Sequence, residues 1–256
     1  MSLEFAGTGG ISLGVGGNSG PLNLVISYPF SLSCWFFPTN TTGAKDLVHL
    51  RQDSAPAAYW LGTDGLSVVA STWNGSISVR AVRSGINLNR WNQAIARFNS
   101  NTQRFVHVNG SIGTINTTSS GQGTNQQIDA FFLGAADGGQ RPFTGYMAHV
   151  AIWDANLSDS DSAALGRGVS PLSVRPANLV AYYPIVNPGA QINIASAKSR
   201  GAPPLPTLGN ARYSNWNPPV KTVLPKSRIL QLPTGIVTSS NVPVLYHQRQ
   251  QQGMAA

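Results

Sequence analysis

General acid and base chemistry draws on carboxylates that work in pairs, and this chain carries few of them. Glu4 is the only glutamate in 256 residues, and aspartates supply the rest of its nine acids. Retaining glycoside hydrolysis needs two carboxylates about 5–5.5 Å apart. Glu4 has no glutamate partner, and no acidic pair sits at alternate positions of a central strand. Asp159 and Asp161 stand two apart, but Ser158 followed by Asp161 reads as a helix capping box, which accounts for both more simply. His49, His107, His149 and His247 are far apart and lack metal-ligand spacing. Cys34 stands alone between Leu32 and Trp35, so it makes no intrachain disulfide and reads as a small buried hydrophobe. Gly7-Thr-Gly-Gly has no following helix to receive a phosphate, and Gly16-Gly-Asn-Ser-Gly-Pro21 reads as a glycine-rich turn. The expectation is a protein with no catalytic residue and no metal ligand set.

The elements that must position any site are short strands. Leu3, Phe5, Ile11, Leu13 and Val15 alternate as an opening strand pair. Phe30 to Pro38 begins by alternating and then becomes wholly apolar, as a strand buried on both faces does. Leu47–Leu50, Ala58–Leu61, Leu66–Ala70 and Ile77–Val82 follow between Gly, Asp and Pro turn signals. Trp91–Phe98 and Arg104–Val108 are joined by Asn99-Ser-Asn-Thr, and Asn109-Gly110 marks a tight turn. Ile128–Leu133, Gly145–Trp153 and Leu179–Tyr183 complete the run. Ser158 caps a helix of one or two turns, with Asp159 and Asp161 at its positive start and Gly166 and Gly168 at its end. His107 and His149 fall in strands, where a structural histidine is the default. Many short strands and a single helix predict an all-β antiparallel jelly-roll sandwich.

Only 10% of the residues are charged, against about 25% in an average soluble chain. The net charge of +8 is also uneven. Residues 1–161 hold eight Lys or Arg and all nine acids, whereas residues 162–256 hold nine Lys or Arg, no acid and 12 of the 17 prolines. The division expected is a body over 1–185, a Pro/Gly-rich extension packing on it over 186–220, and an extended basic C-terminal arm over 221–256. The first residues lack the basic and apolar regions of a signal peptide, so synthesis in a cytoplasm without export is expected, and the five Asn-x-Ser/Thr sequons are discounted as glycosylation sites. No stretch is long enough for an apolar membrane span.

The order of motifs resembles the laminin G-like branch of the concanavalin A-like lectin/glucanase superfamily. The matching pieces are Leu3-Glu-Phe-Ala-Gly7, Phe30-Ser-Leu-Ser-Cys-Trp35, Arg90-Trp-Asn-Gln-Ala-Ile95, Phe105-Val-His-Val-Asn-Gly110, Phe131-Phe-Leu-Gly134 and Phe143 to Trp153. Leu157-Ser-Asp-Ser-Asp161 resembles the family's short helix start. The resemblance implies a jelly roll of two curved antiparallel sheets. Glucanases of the superfamily use a pair of glutamates, which this chain lacks. Many laminin G-like domains carry a calcium at a loop rim, where Asp64, Asp129 and Asp137 are the available acids. A calcium needs about six to eight oxygens, and capping of turns explains these aspartates more simply. No cofactor is therefore expected.

Arg175 to Pro184 and Trp216-Asn-Pro-Pro-Val220 resemble extensions of such domains in tailed-phage virion proteins. That resemblance implies a non-enzymatic virion component, a capsid decoration or cement protein, forming a homo-oligomer and binding the major capsid protein through its arm. Lys221, Lys226 and Arg228 would supply charge to that contact, with Val244, Leu245, Tyr246 and Arg249 as anchors. The alternative is a carbohydrate-binding, lectin-like module of a tail fibre or other host-recognition protein, with Trp60, Trp73, Tyr146 or Trp153 stacking on a surface glycan. Nucleic acid is the least favoured partner, because the cations of the arm are widely spaced.

Overall fold

All nine residues of β4 (Phe30–Pro38) are buried. A strand buried at every position, as this one is, needs structure covering the sheet on each side. The computed structural model describes residues 2–8, 11–12, 24–52, 57–123, 125–128, 130–184, 211–214 and 217–220, and it places β4 in the middle of a sandwich. The larger sheet has the order β11 (Ser111–Asn116), β10 (Gln103–Val108), β9 (Asn92–Ser100), β4, β14 (Thr144–Trp153), β1 (Ser2–Ala6) and β16 (Ala211–Ser214), and β15 (Leu179–Tyr183) also pairs with β14. The six-stranded sheet has the order β2 (Ile11–Ser12), β13 (Ala130–Leu133), β5 (Ala44–Gln52), β6 (Ala57–Asp64), β7 (Ser67–Trp73) and β8 (Ser78–Ser84). β3 (Leu24–Ser27) and β12 (Asn125–Ile128) form a separate pair. Every strand pairing among the described residues is antiparallel, for instance Phe30 opposite Phe98 between β4 and β9.

The inner faces meet in one continuous core. Leu32, Phe36, Phe98 and Ile152 come from the larger sheet, and Leu50, Tyr59, Leu61 and Phe131 from the smaller. Phe30 stacks on Phe98 at 4.7 Å and meets Tyr59 edge-on at 5.0 Å, a favoured aromatic geometry. The outer face of the larger sheet is also covered. Ile95, Ala151 and Trp153 pack there with Leu157 and with Leu165 of α1 (Asp159–Gly166). Two serines of β4 are absorbed by this layer. Ser31 donates to Ala155 O at 2.7 Å, and Ser33 accepts from Gln93 Nε2 at 3.0 Å. The helix starts as expected, with Ser158 Oγ accepting from Asp161 N and the Asp161 carboxylate accepting from Ser158 N. Burial raises the Asp161 pKa, but the bonds from Ser158 and Arg175 outweigh it and leave the carboxyl below its ordinary range.

Four strands are not expected from the sequence. β3, β11, β12 and β16 lie in stretches with too little hydrophobic alternation to declare themselves, and β12 overlaps the expected Ile128–Leu133 strand only at Ile128. β11 is held as an edge by β10 and by side chains reaching across to β8. Thr114 Oγ1 accepts from Val82 N at 3.0 Å and donates to Val82 O at 2.8 Å. These bonds occupy main-chain groups of an edge strand that would otherwise be open to another chain. Residues 211–214 join the sheet by pairing with β1, Phe5 opposite Ala211 and Ser2 opposite Ser214. The expected strand positions Leu13 and Val15 and the turn at 16–21 lie outside the described residues. Among the described residues no helix is long and apolar enough to cross a membrane.

His107 and His149 serve the scaffold. His107 is fully buried with Nε2 3.0 Å from Arg97 Nη1, and Arg97 in turn binds Asp159 of α1 at 2.5 Å. Burial, aided by the Arg97 charge, pushes His107 down to about 4. Burial does the same to His149, whose Nδ1 lies 2.6 Å from Tyr182 Oη. The unfolded chain takes up these protons near pH 6.5, whereas the folded one resists to about 4. Between those values the unfolded state binds more protons, so stability falls as the pH is lowered through this window and the loss levels off below about 4. The urea midpoint is expected to drop from pH 7 to pH 4.5, and H107Q is expected to flatten that dependence while keeping an acceptor for Arg97.

Candidate functional site

Strand alternation decides which side chains of the six-stranded sheet leave the core. Leu50, Tyr59, Leu61, Val68 and Ala70 point inward. The opposite face carries His49 and Arg51 on β5, Trp60 and Asp64 on β6, Trp73 on β7, and Ser78 and Arg80 on β8. With Asp137, Gln140 and Arg141 from the connection between β13 and β14, they line a groove of about 620 Å³. That volume lies within the range of small-molecule sites, about 300–1,000 Å³.

The floor is built around a buried carboxylate. Asp46 is only 1% exposed, and its Oδ2 accepts from Arg141 Nη2 at 2.8 Å and lies 2.7 Å from His49 Nδ1. A β-bulge between Asp46 and Val48 shifts the register of β5 against β6 at this point. Arg141 adopts a left-handed backbone conformation (φ 49°) that residues with a Cβ rarely take. Two contacts hold it, the bond to the Asp46 carboxylate and the bond from Asp46 N to its own carbonyl at 3.0 Å. Its guanidinium lies 4.7 Å from the Trp60 ring centroid, and His49 stacks on the same indole at 5.7 Å. Gly62 leaves room for this arrangement, since a Cβ there would sit 2.4 Å from Lys45 O and 3.3 Å from Trp60 Cδ1.

The walls are two further ion pairs, Arg80 to Asp64 at 3.1 Å and Arg51 to Asp137. Trp73 stands at the rim and is 37% exposed, whereas Trp60 is 7% exposed under His49 and Arg141. Gln122 fixes the strand end that carries Trp73. Its buried amide donates to Trp73 O and to Ala58 O, two residues paired across β6 and β7, and accepts from Tyr28 Oη at 3.3 Å. Arg104 brings the Gln122 segment into place. Fully buried, it donates to Asn116 Oδ1 at 2.8 Å, Thr118 O at 3.0 Å and Asn101 O at 2.8 Å. Ser120 closes the same turn on Asn101 O.

Of the four aromatic residues named as stacking candidates, Trp60 and Trp73 come together in the groove. Trp153 is corrected, because it is fully buried in the second core with its indole N–H given to Val174 O at 2.8 Å. Tyr146 lies on the other sheet, edge-on to Phe37 at 5.6 Å. Asp64 and Asp137 have arginine partners, and Asp129 lies outside the described residues, as does His247. Among the described residues no three His, Cys, Asp or Glu side chains gather as a metal site needs. Cys34 is fully buried, which pushes its thiol well above the usual range. Lys221, Lys226, Arg228, Val244, Leu245, Tyr246 and Arg249 lie outside the described residues. Sequence reasoning missed Asp46, His49, Arg141 and Gln122 as site residues. The Asp46-x-x-His49 spacing was a local signal for one pair, while Arg141 and Gln122 have none.

The family model of the concanavalin A-like lectin/glucanases superfamily matches residues 7–161. No curated protein matches the chain in sequence. Among solved structures, domain 4 of AbnA, a GH43 extracellular arabinanase from Geobacillus stearothermophilus in complex with arabinotriose, superposes with a TM-score of 0.51 at 22% identity, covering 64% of this chain and 76% of that one. The Ruminococcus gnavus IT-sialidase CBM40 bound to alpha2,6 sialyllactose gives 0.50 at 14% identity, covering 64% and 96%. The native heptameric SAP-like pentraxin from Limulus polyphemus gives 0.50 at 11% identity, covering 64% and 81%. At these identities the likeness is one of fold. Replacing Gln122 with Ala strands the Trp73 and Ala58 carbonyls, and a stability loss of about 1–3 kcal/mol is expected in urea denaturation. Quenching of tryptophan fluorescence by iodide should rise in the same variant.

Proposed function

The chain belongs to the concanavalin A-like lectin/glucanases superfamily, and on that premise we propose that it is a non-enzymatic carbohydrate-binding module that holds a glycan in the groove of its six-stranded sheet. The observation that carries this reading is the exposed Trp73 at the rim of a groove that also presents three ion pairs and the Ser78 hydroxyl. An indole offers its face to the C–H side of a sugar ring, while charged and hydroxyl groups take the sugar hydroxyls. Burial of Trp60 beneath His49 and Arg141 makes it a support for the floor rather than a stacking platform. The neighbours solved with arabinotriose and sialyllactose lend this reading their fold alone.

The same residues argue against hydrolysis. Glycosidases need one carboxyl held protonated and a second carboxylate opposite it. Each aspartate of the groove is instead engaged by an arginine as one half of an ion pair. Glu4 is exposed on β1, in the other sheet. Attachment to a virion through the C-terminal arm rests on residues 221–256, outside the described residues, so the groove is the site that the described residues supply.

A glycan array probed with the whole chain is expected to give selective binding. W73A should weaken the best ligand by at least about tenfold, or roughly 1.4 kcal/mol. Its thermal unfolding should stay cooperative, with the midpoint lowered only modestly because the ring is already partly in solvent. A blank array, or equal binding by W73A, counts against the reading.

A further inference from the structure

Six of the charges lining the groove cancel in three pairs. Arg141 lies on Asp46 at 2.8 Å, Arg80 on Asp64 at 3.1 Å, and Arg51 on Asp137. Among the described residues every carboxylate lining the groove therefore has a guanidinium of its own. Lys45 also borders the groove, beside Asp46 on β5, and adds a cation to the three pairs. Ser78 adds a neutral hydroxyl, 3.5 Å from that of Ser71.

From this pattern we infer that the groove is selective for uncharged glycans, with Asp64 and Asp137 as the residues that reject acidic ones. The inference rests on the glycan-binding reading above. An arginine and aspartate side by side present donors and acceptors together, which suits two vicinal hydroxyls, each able to donate and accept. A sugar carboxylate or sulfate meets the opposite situation. It must take a guanidinium from an aspartate that already holds it, and it must lie beside that aspartate's own negative charge. Asp46 is buried and cannot turn away, while Asp64 and Asp137 are each 46% exposed and face an incoming ligand directly.

The test compares binding of the full chain to neutral gluco-, manno- and galacto-configured oligosaccharides with binding to the same chains ending in a uronic or sialic acid. Neutral ligands should bind at least about tenfold more tightly than their acidic counterparts. Their affinity should change little between about 50 and about 500 mM salt, because no net charge is neutralised on binding. D64N frees Arg80, and D137N frees Arg51 of its Asp137 pair. Each should narrow the neutral-to-acidic ratio by about fivefold or more without abolishing neutral binding. Two variants on different elements keep the test valid if one of them misfolds. Preference of the parent chain for acidic ligands overturns the inference while leaving glycan binding intact, as does an unchanged ratio in folded D64N and D137N. Absence of binding to either class overturns both proposals together.

Discussion

A charge taken out of water costs several kcal/mol unless a partner and hydrogen bonds meet it. In a chain with only 10% charged residues, that requirement marks the points where segments are pinned to the sandwich. Asp46, Arg97 and Arg104 are all nearly or fully buried. Asp46 draws in Arg141 and with it the connection between β13 and β14. Arg97 ties β9 to α1 through Asp159, and Phe105 lies beneath its guanidinium at 4.3 Å. Arg104 gathers the carbonyls of Asn101 and Thr118 and so sets the path of the segment leading to Gln122. Removing one partner in any of the three leaves a buried charge uncompensated, a costlier change than losing a surface pair.

Two of these pins serve the groove. Asp46 organises its floor by fixing Arg141 over Trp60. Arg104 acts at a distance, by placing the turn from which Gln122 secures the strand end bearing Trp73. The exposed indole is thus presented by a backbone held at two carbonyls. A stacking platform of that kind loses little conformational freedom when a ligand arrives, which favours affinity. The third pin, Arg97 with His107 and Asp159, lies on the opposite side of the sandwich and belongs to the layer formed by α1.

The layered architecture also accounts for features that seem unrelated at first sight. β4 is buried throughout because the six-stranded sheet covers one of its faces and the α1 layer the other. Among the described residues the six-stranded sheet has a core on one side only, so its strands place charges and indoles on the other. A groove with paired charges can form on that face without disturbing the core.

What the sequence determined by itself was local. The alternation of β5 to β10, the buried run of β4, the Ser158–Asp161 capping box and the Asn109-Gly110 turn, whose residues have φ of 51° and 79°, all express preferences carried within a few neighbouring residues. The tertiary structure decided everything that joins distant segments. Arg141 meets Asp46 from 95 positions away, Gln122 meets Trp73 from 49, and residues 211–214 pair with β1. It also decided that Trp73 is exposed while Trp153 is buried, although both occupy strands. The period of a strand tells which residues share a face, but only the stacking of sheets and helix tells which face meets water.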